Sequence, residues 1–218
     1  MRFVTNNSAA RIADQEAALE AIGIPARGDV VTSATAAARL VSSGARVLVC
    51  AGPGVEEAVE ARGALVVTDG PCDEVIVGFH RSFDYEALRR AATAVLGGAR
   101  LIGTNDDATY PTPDGPIPGG GAILAAVAVA AGVVPVVAGK PYSPMVELVR
   151  ELVGDSEVAD AVMVGDRPST DGRFARALGC RSAQVWSGVT ARGSALDPVA
   201  DLAAADLAAV VDLLLAGH

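Results

Sequence analysis

The sequence predicts an α/β protein with a mostly parallel β-sheet, and two observations carry this prediction. Strand-like and helix-like segments alternate from one end of the chain to the other, which is the pattern of parallel α/β architecture. Hydrophobic residues make up 51% of the 218 residues, which is enough to bury a sizeable core. The length suits one large domain or two small ones.

The chain opens with two short strands, each followed by a helix. Phe3–Thr5 predicts a strand stub, and the helical pattern over residues 14–22 stops at Gly23. Val30–Thr32 predicts a second strand, which leads into an alanine-rich helix.

A compact βαβ unit comes next, and the alternation then continues. The expected elements are a strand at 46–50, a turn at 52–54, a helix at 55–62, strands at 64–68 and 74–79, a helix at 85–96 and a strand at 100–104. A long loop without predicted structure follows, NDDATYPTPDGPIPGGG, over residues 105–121. A connection of this length inside a compact protein is usually functional or mobile.

The closing third repeats the same pattern. The expected elements are a strand at 134–138, helices at 145–153 and after Thr170, strands at 161–164 and 183–186, and a final helix at 199–215. An uncharged stretch at 119–139 is long enough to span a bilayer, but it is rich in Ala and Gly and divides at Gly132 into helix-like and strand-like halves. A soluble protein is therefore expected.

Charge and cysteine content exclude several classes of partner and site. A net charge of −9 and a pI near 4.7 argue against nucleic acid or an anionic membrane as the main partner. The three cysteines, Cys50, Cys72 and Cys180, are widely spaced and odd in number, so neither a disulfide framework nor a zinc site is indicated. The start of the chain shows no signal peptide, and a reducing cytoplasm fits best.

Lys140 is the only lysine in the chain, although arginine occurs throughout. A lone lysine is commonly a solvated surface residue. Here it follows the strand-like run Val136–Gly139, so the pattern predicts that it stands exposed at a strand end, and ligands of open α/β sheets bind at such carboxyl ends. A lysine offers a compact point charge that fits beside a single oxyanion.

Two further strand ends carry polar groups suited to phosphate chemistry. Thr5-Asn6-Asn7-Ser8 places a hydroxyl and a run of backbone N–H groups before a helix, although Ser8 could be a simple N-cap. Asp166 and Asp171 flank the run Arg167-Pro168-Ser169-Thr170 after a predicted strand. Asp171 could instead be an acid that complements a helix dipole. Mg²⁺ takes one or two carboxylates together with phosphate oxygens and water.

These segments, FVTNNS, GKPYSP and VGDRPSTDG, resemble in order and spacing motifs two, three and four of the haloacid dehalogenase (HAD) superfamily, and more narrowly its class IIA sugar and pyridoxal phosphatases. The similarity covers essentially the whole chain. It implies a Rossmann-like, three-layer HAD core with a mostly parallel sheet and an inserted α/β cap. The implied boundaries are 1–44 for the first part of the core, 45–132 for the cap and 133–218 for the second part of the core.

The resemblance also implies roles for particular residues. Thr5, Asn6 and Asn7 would bind the phosphoryl group, Lys140 would neutralise phosphate and nucleophile, Asp166 would ligate Mg²⁺, and Asp171 would support that ligand. Within the long loop, Asn105 and Tyr110 would contact the substrate, although Tyr110 could equally pack on the loop's prolines. Arg81 is a further candidate contact.

The family's first motif, Asp-x-Asp-Gly, is missing from this sequence. Only four residues precede Thr5, and no Asp lies two residues before the Asp of Asp69-Gly70, Asp114-Gly115 or Asp171-Gly172. Without the nucleophilic aspartate there is no phosphoaspartate route. Loss of a central strand would leave buried backbone groups unpaired, at a cost of roughly 1–3 kcal/mol each. We therefore expect Met1 to be a mis-called or alternative start, with the full protein beginning farther upstream.

The sequence thus predicts a Mg²⁺-dependent hydrolase of small phosphomonoesters, with this chain inactive by itself. The candidate substrates are sugar phosphates, glycerol phosphate, phosphoglycolate, nucleotides and pyridoxal phosphate, and the resemblance leaves open a homodimer through the cap. The alternative is a non-catalytic phosphate-binding or interaction protein descended from such phosphatases. A nucleotide-binding oxidoreductase is disfavoured, because a G-x-G-x-x-G motif after Gly52-Pro53-Gly54 would need glycine where Glu57 stands.

Overall fold

The computed structural model describes residues 1–217 and divides the chain into two compact units. The first unit runs from Met1 to Gly139, and the second begins at Lys140. Strand pairing is parallel everywhere in the described residues except in one two-residue hairpin, which confirms the predicted α/β class with a mostly parallel sheet.

The largest sheet of the first unit has five parallel strands. Its order is β4-β3-β5-β6-β9, with the strands at Arg46–Cys50 (β3), Leu65–Val67 (β4), Glu74–Val77 (β5), Arg100–Gly103 (β6) and Val136–Val137 (β9). The strand predicted after Gly132 thus pairs with β6 and belongs to this sheet.

Apolar side chains on one side of this sheet form the main core of the unit. Helix α4 (Tyr85–Leu96) and helix α5 (Gly120–Ala131) pack there against β3 and β5. The buried members include Leu48, Val75, Val77, Ala91, Val95, Ile123, Leu124 and Val127. Asp84 begins α4 by accepting a hydrogen bond from the Ala87 N–H, which satisfies one of the unpaired amides of the first turn.

The start of the chain forms a separate two-stranded parallel sheet. Strand β1 (Phe3–Thr5) pairs with β2 (Val30–Thr32), and helix α1 (Ile12–Ala21) connects them. Helix α2 (Ser33–Ala38) follows β2 directly and is capped by the Thr32 hydroxyl, and helix α3 (Pro53–Ala61) follows β3. These elements confirm the predicted order of the first 62 residues, with ends shifted by one or two positions.

The long loop contains regular structure that the sequence pattern missed. Thr109–Tyr110 (β7) and Ile117–Pro118 (β8) form an antiparallel hairpin, and α5 already begins at Gly120. The prediction of an unstructured connection over 105–121 was therefore wrong from Thr109 onward. The sequence pattern did not indicate the hairpin, because each strand is only two residues long and lies among prolines and glycines, which are typical of loops.

The second unit is built on a three-stranded parallel sheet. Its strands are β10 (Val162–Gly165), β11 (Arg181–Val185) and β12 (Leu202–Ala204), with β11 in the middle. Helices α6 (Ser143–Val153) and α7 (Asp155–Asp160) precede β10. A π-helical turn (Pro168–Gly172) and helix α8 (Arg173–Leu178) connect β10 to β11, and helix α9 (Leu207–Leu215) follows β12.

The predicted final helix over 199–215 was wrong in its first part. Leu202–Ala204 pairs with β11 as a strand, and α9 begins only after Asp206, whose side chain accepts from the Ala209 N–H. Alanine and leucine fit either a helix or a buried strand, so the available partner strand decided the outcome.

The uncharged stretch at 119–139 divides as expected into a helix and a strand, α5 and β9. Helix α5 is 12 residues long, about 18 Å, which is well short of the roughly 30 Å of a bilayer core. Across residues 1–217, no helix combines the length and the apolar character needed to cross a membrane.

Candidate functional site

The loop after β1 is folded by its own side chains. The Thr5 hydroxyl oxygen accepts a hydrogen bond from the Asn7 N–H at 3.0 Å, and the Asn7 side-chain oxygen accepts from the Ala9 N–H at 3.1 Å. Because the Thr5 oxygen accepts from the backbone, its proton can be donated to an anion. This arrangement is compatible with the predicted role in phosphate binding.

Asn6 is fixed by residues that lie far from it in the sequence. Its carbonyl oxygen accepts hydrogen bonds from the Asn105 amide and the Ser33 hydroxyl, both at 2.8 Å, and its own amide donates to the Asp107 carboxylate at 2.9 Å. The first turn of α2 and the segment after β6 therefore hold this loop in place.

Asn105 is itself buried, with 4% of its surface exposed. Its side-chain oxygen accepts from the Asp107 N–H at 3.1 Å, while its amide is bonded to Asn6. These contacts describe a residue that positions the Asn6 loop. Its contact with substrate stays a prediction.

Ser8 does not cap α1, which was the simpler explanation for it. Its hydroxyl shares a 2.9 Å hydrogen bond with the Thr104 hydroxyl, and both side chains are buried. Helix α1 instead begins after Arg11 without a side-chain cap. Gly78 makes this approach possible, because a Cβ there would lie 2.8 Å from each of the two hydroxyl oxygens.

Tyr110 lies in the hairpin strand β7 and stacks on Phe79, which follows β5. The ring centroids are 4.6 Å apart and the planes differ by 3°. Tyr110 therefore packs on an aromatic ring, in the near-parallel arrangement of a stacked aromatic pair. Arg81 is exposed. Substrate contacts of Tyr110 and Arg81 stay predictions.

Lys140 is buried, so the expectation of an exposed strand end was wrong. Its Nζ donates to Asp171 Oδ1 at 2.7 Å, and the two side chains are 9% and 12% exposed. A buried ammonium needs a charged partner to offset its desolvation. The pair with Asp171 therefore accounts for a buried cation at this position.

Asp171 lies inside the π-helical turn, where both of its carboxylate oxygens are bonded. Oδ1 accepts from Lys140, and Oδ2 accepts from the Arg167 N–H at 3.1 Å. Gly165 permits this position, because a Cβ there would come within 2.4 Å of the Asp171 side chain. Asp171 therefore orients the ammonium, and the alternative of a simple dipole-complementing acid does not describe its contacts.

Asp166 follows β10 directly and is held at two points. Its Oδ2 accepts from the Val189 N–H at 2.7 Å, and its carbonyl oxygen accepts from the Gln184 amide at 3.0 Å. Its Oδ1 has no hydrogen bond to any residue in 1–217, so this oxygen could bind a metal. Within the same residues, no group of three or more His, Cys, Asp or Glu side chains could hold a metal ion.

The donor set therefore fits Mg²⁺ only in part, as a single protein carboxylate. Mg²⁺ commonly binds one or two carboxylates and completes its shell with water and substrate phosphate, so one ligand is compatible with the ion but does not make a full protein site.

Sequence reasoning missed the residues that position the predicted ones. These are Ser33, Thr104, Asp107, Gln184 and Val189. Thr104 ends the predicted strand at 100–104 and Asp107 lies two positions after Asn105, so their place at the end of a strand was a usable signal. Val189 acts through its backbone amide and carries no signal in its side chain.

The predicted residues form two local groups. Thr5, Asn6, Asn7 and Asn105 belong to the first unit, whereas Lys140, Asp166 and Asp171 belong to the second. Their convergence around one phosphoryl group stays a prediction.

Comparison with known proteins identifies relatives along most of the chain. The family model described as haloacid dehalogenase-like hydrolase matches residues 1–64, and a second, described as HAD-hydrolase-like, matches residues 137–212. The chain is 37% identical over 194 residues to the acid sugar phosphatase of Staphylococcus saprophyticus, an alignment that covers 87% of this chain and 74% of that protein.

Two solved structures extend this similarity to the fold. The p-nitrophenyl phosphatase from Archaeoglobus fulgidus has a TM-score of 0.88 at 28% identity, with 98% of this chain and 85% of that chain covered. The glycerol phosphate phosphatase from Mycobacterium tuberculosis in complex with magnesium has a TM-score of 0.80 at 36% identity, with 87% of this chain and 59% of that chain covered. Together with the matching motifs, these similarities show that the chain belongs to the haloacid dehalogenase-like hydrolase family.

Proposed function

We propose that this protein is a Mg²⁺-dependent phosphatase of class IIA that hydrolyses small phosphate monoesters. The observation that carries the proposal is the buried Lys140–Asp171 pair next to Asp166, at the end of β10. An ammonium held in place before substrate arrives can stabilise the negative charge of a phosphoryl group without reorganisation. The phosphatases among its relatives support the same activity.

In this proposal, Asp166 holds the metal through Oδ1 while the Val189 N–H fixes Oδ2. When bound, Mg²⁺ supplies charge neutralisation for the phosphate oxygens. Asp171 orients the Lys140 ammonium by accepting a hydrogen bond from its Nζ at 2.7 Å, and the Thr5 hydroxyl would donate to the phosphate. Asn6 and Asn7 shape the loop that presents this hydroxyl.

We further propose that residues 45–132 act as the cap and that Asn105 and Tyr110 contact the leaving group. Support comes from the anchoring of Asn6 by Asn105 and Asp107, which ties the segment after β6 to the phosphate loop. A large cap favours small substrates such as sugar phosphates, glycerol phosphate or nucleotides.

The missing Asp-x-Asp-Gly motif leaves the chain without the family's nucleophile. We propose that residues 1–218 alone turn over p-nitrophenyl phosphate poorly. The test compares this chain with the chain that also carries any in-frame residues encoded upstream of Met1, with and without Mg²⁺. Activity confined to the longer chain supports the proposal, and full activity of residues 1–218 contradicts it.

Two variants of the active form test the assigned roles. Lys140→Arg should lower kcat by about 100-fold despite its retained charge, because a guanidinium fork does not fit beside a single oxygen. Asp166→Asn should abolish the response to Mg²⁺. Wild-type kinetics for Lys140→Arg, or an unchanged Mg²⁺ titration for Asp166→Asn, would remove that residue from the mechanism.

The absent motif favours one second candidate, a non-catalytic phosphate-binding protein. In that case residues 1–218 would bind inorganic phosphate in calorimetry, and no chain extended upstream would hydrolyse a phosphate ester. Lys140→Met should abolish the calorimetric signal if the same site is used.

The cellular setting is also a proposal. Cys50, Cys72 and Cys180 form no disulfide in residues 1–217, which favours a reducing compartment such as the cytoplasm. The net charge of −9 disfavours nucleic acid and anionic membranes as partners.

A further inference from the structure

A cavity of about 250 Å³ opens at the carboxyl ends of β3 and β4. Apolar or weakly polar side chains of both strands line it, among them Leu48, Cys50 and Val67, and Ala87 of helix α4 lines it as well. Ligand pockets commonly measure about 300–1,000 Å³, so this cavity is sized for a molecule smaller than a typical drug.

The cavity lies where the strand order of the five-stranded sheet reverses. Strand β4, which follows β3 in the chain, pairs with one edge of β3, and β5 pairs with the other edge. Open α/β sheets bind ligands in the crevice at such a point. Asn105 follows β6, which lies two strands from β3, and at about 4.8 Å per strand this places it about 10 Å away. The cavity is therefore distinct from the group formed by Thr5, Asn6, Asn7 and Asn105.

Two residues of helix α4 with opposite charges line the cavity. Asp84, Ala87 and Arg90 are spaced three residues apart, which places them on one face of the helix. The Arg90 guanidinium forms no hydrogen bond or ion pair with any residue in 1–217, whereas the adjacent Arg89 pairs with Glu86 at 2.8 Å. Asp84 Oδ1 accepts from the Ala87 N–H, and its Oδ2 has no hydrogen bond within the same residues.

His80 and Cys50, which also line the cavity, are uncharged at neutral pH. The His80 Nε2 lies 3.6 Å from the Cys50 sulfur, and its Nδ1 lies 3.1 Å from a neighbouring serine hydroxyl. Burial lowers the pKa of His80 and raises the pKa of Cys50 to about 11. The charged residues that line the cavity are therefore Arg90, Asp84 and Glu56 of helix α3, one positive and two negative.

We propose that this cavity binds a free amino acid. Its carboxylate pairs with Arg90, since a guanidinium can donate to both carboxylate oxygens at once. Its ammonium donates to the carboxylates of Asp84 and Glu56. A simple anion would meet two carboxylates and a simple cation would meet an unpaired guanidinium, whereas a molecule that carries both charges finds a partner for each. An apolar side chain of the ligand packs on Leu48 and Val67.

Isothermal titration calorimetry of the full chain with L-alanine, L-leucine and L-phenylalanine tests this proposal. These neutral amino acids range from small to large side chains, and at least one should bind with a Kd on the order of 1 mM or below. For the amino acid that binds most tightly, the analogues that lack the ammonium or the carboxylate should bind at least about tenfold more weakly. For L-leucine these analogues are isocaproate and isoamylamine.

Two variants and a control assign the binding to this cavity. Arg90→Met should weaken binding by at least about tenfold. Arg89→Met removes the neighbouring cation on the same helix and is the matched control, which should bind like wild type. Asp84→Asn should also weaken binding, because asparagine still caps α4 but lacks the charge that pairs with an ammonium. Circular dichroism and thermal melting establish that each variant is folded.

Three results would overturn the proposal. These are no binding of any of the three amino acids, equal binding of an analogue that lacks one charge, and equal effects of Arg89→Met and Arg90→Met. Thr5→Val in the loop after β1 should bind like wild type. A loss of binding in this variant would also overturn the proposal, because the ligand would then lie at the candidate phosphate site. Calorimetry reports binding without catalysis, so this proposal and the proposed phosphatase activity can fail separately.

Discussion

Strands β5 and β10 are alike in sequence but differ in burial. Glu74–Val77 and Val162–Gly165 are both four-residue parallel strands with three apolar residues each. The fourth residue is a glutamate in the first strand and a glycine in the second. All four residues of β5 are buried, whereas all four of β10 are only partly buried. The difference lies in their neighbours, because β5 pairs with β3 and β6, while β10 pairs only with β11 in residues 1–217.

This difference teaches where the protein places its chemistry. Strand β5, which is paired on both edges, belongs to the main core. The one charged residue in this strand is Glu74, its first residue. The half-buried β10 leads into Asp166 and the π-helical turn that holds Asp171. The candidate carboxylates thus follow a strand with one partner, whereas the strand paired on both edges belongs to the main core.

The largest expected loss of stability concerns the buried Lys140–Asp171 pair of the second unit. Lys140→Met removes the partner of a buried carboxylate, and the free energy of unfolding should fall by about 3–5 kcal/mol, because Asp171 is left charged and buried. Urea denaturation at neutral pH measures this loss. Arg89→Met removes an exposed ion pair and serves as the control, with no measurable change expected. A loss of equal size in the two variants would show that burial of the pair is not what matters.

A smaller effect compares the two strands directly. Val75→Ala in β5 removes a fully buried side chain and should cost about 2–3 kcal/mol, while Val164→Ala in β10 should cost about 1 kcal/mol. The same chemical deletion in both strands isolates the effect of the environment. If thermal or urea unfolding gives equal losses of stability for the two variants, the difference in burial between the strands does not determine the cost of the deletion.

The smallest expected effect concerns the one polar residue of β5. Glu74 is 8% exposed and its Oε2 has no hydrogen-bond partner, and burial raises the pKa of this carboxyl above its ordinary value of 4.5. The folded state therefore binds the proton more tightly than the unfolded state, and stability falls as pH rises from 4.5 through the raised pKa.

Glu74→Gln removes this dependence on pH. The variant should gain about 1 kcal/mol over wild type at pH 7, and the gain should vanish at low pH, where Glu74 is protonated. Unfolding free energies measured from pH 4 to pH 8 follow the difference between the two proteins. A constant difference across this range would show that the carboxyl does not titrate differently in the folded state.

The sequence correctly indicated most strands and helices of this fold. Alternation of apolar runs with glycine-terminated helical segments located the elements from β1 to β6, and then α6, β10, α8 and β11, but it missed helix α7 and the π-helical turn. It failed where two structures were compatible with one composition, as in β12, or where strands were only two residues long, as in the hairpin of Thr109 and Ile117. Short strands contribute little local signal, since their stability comes from pairing.

The site shows the same division. Spacing and residue type identified Thr5, Lys140, Asp166 and Asp171 as candidates, because their motifs stand at strand ends in the order that HAD hydrolases use. The contacts of these residues were not visible in the sequence. Lys140 was expected to be exposed and is buried, because Asp171, 31 positions away, folds back to meet it.

The sequence by itself determined the α/β class, the family and the identity of the candidate residues, since these depend on local patterns and motifs. Only the tertiary structure decided that β5 is buried on both edges, that Asn6 is held by Asn105 and Ser33, and that the outer side of α5 stays exposed. The physical reason is that burial and hydrogen bonding depend on residues distant in the chain, and a local pattern does not specify which distant residue becomes the neighbour.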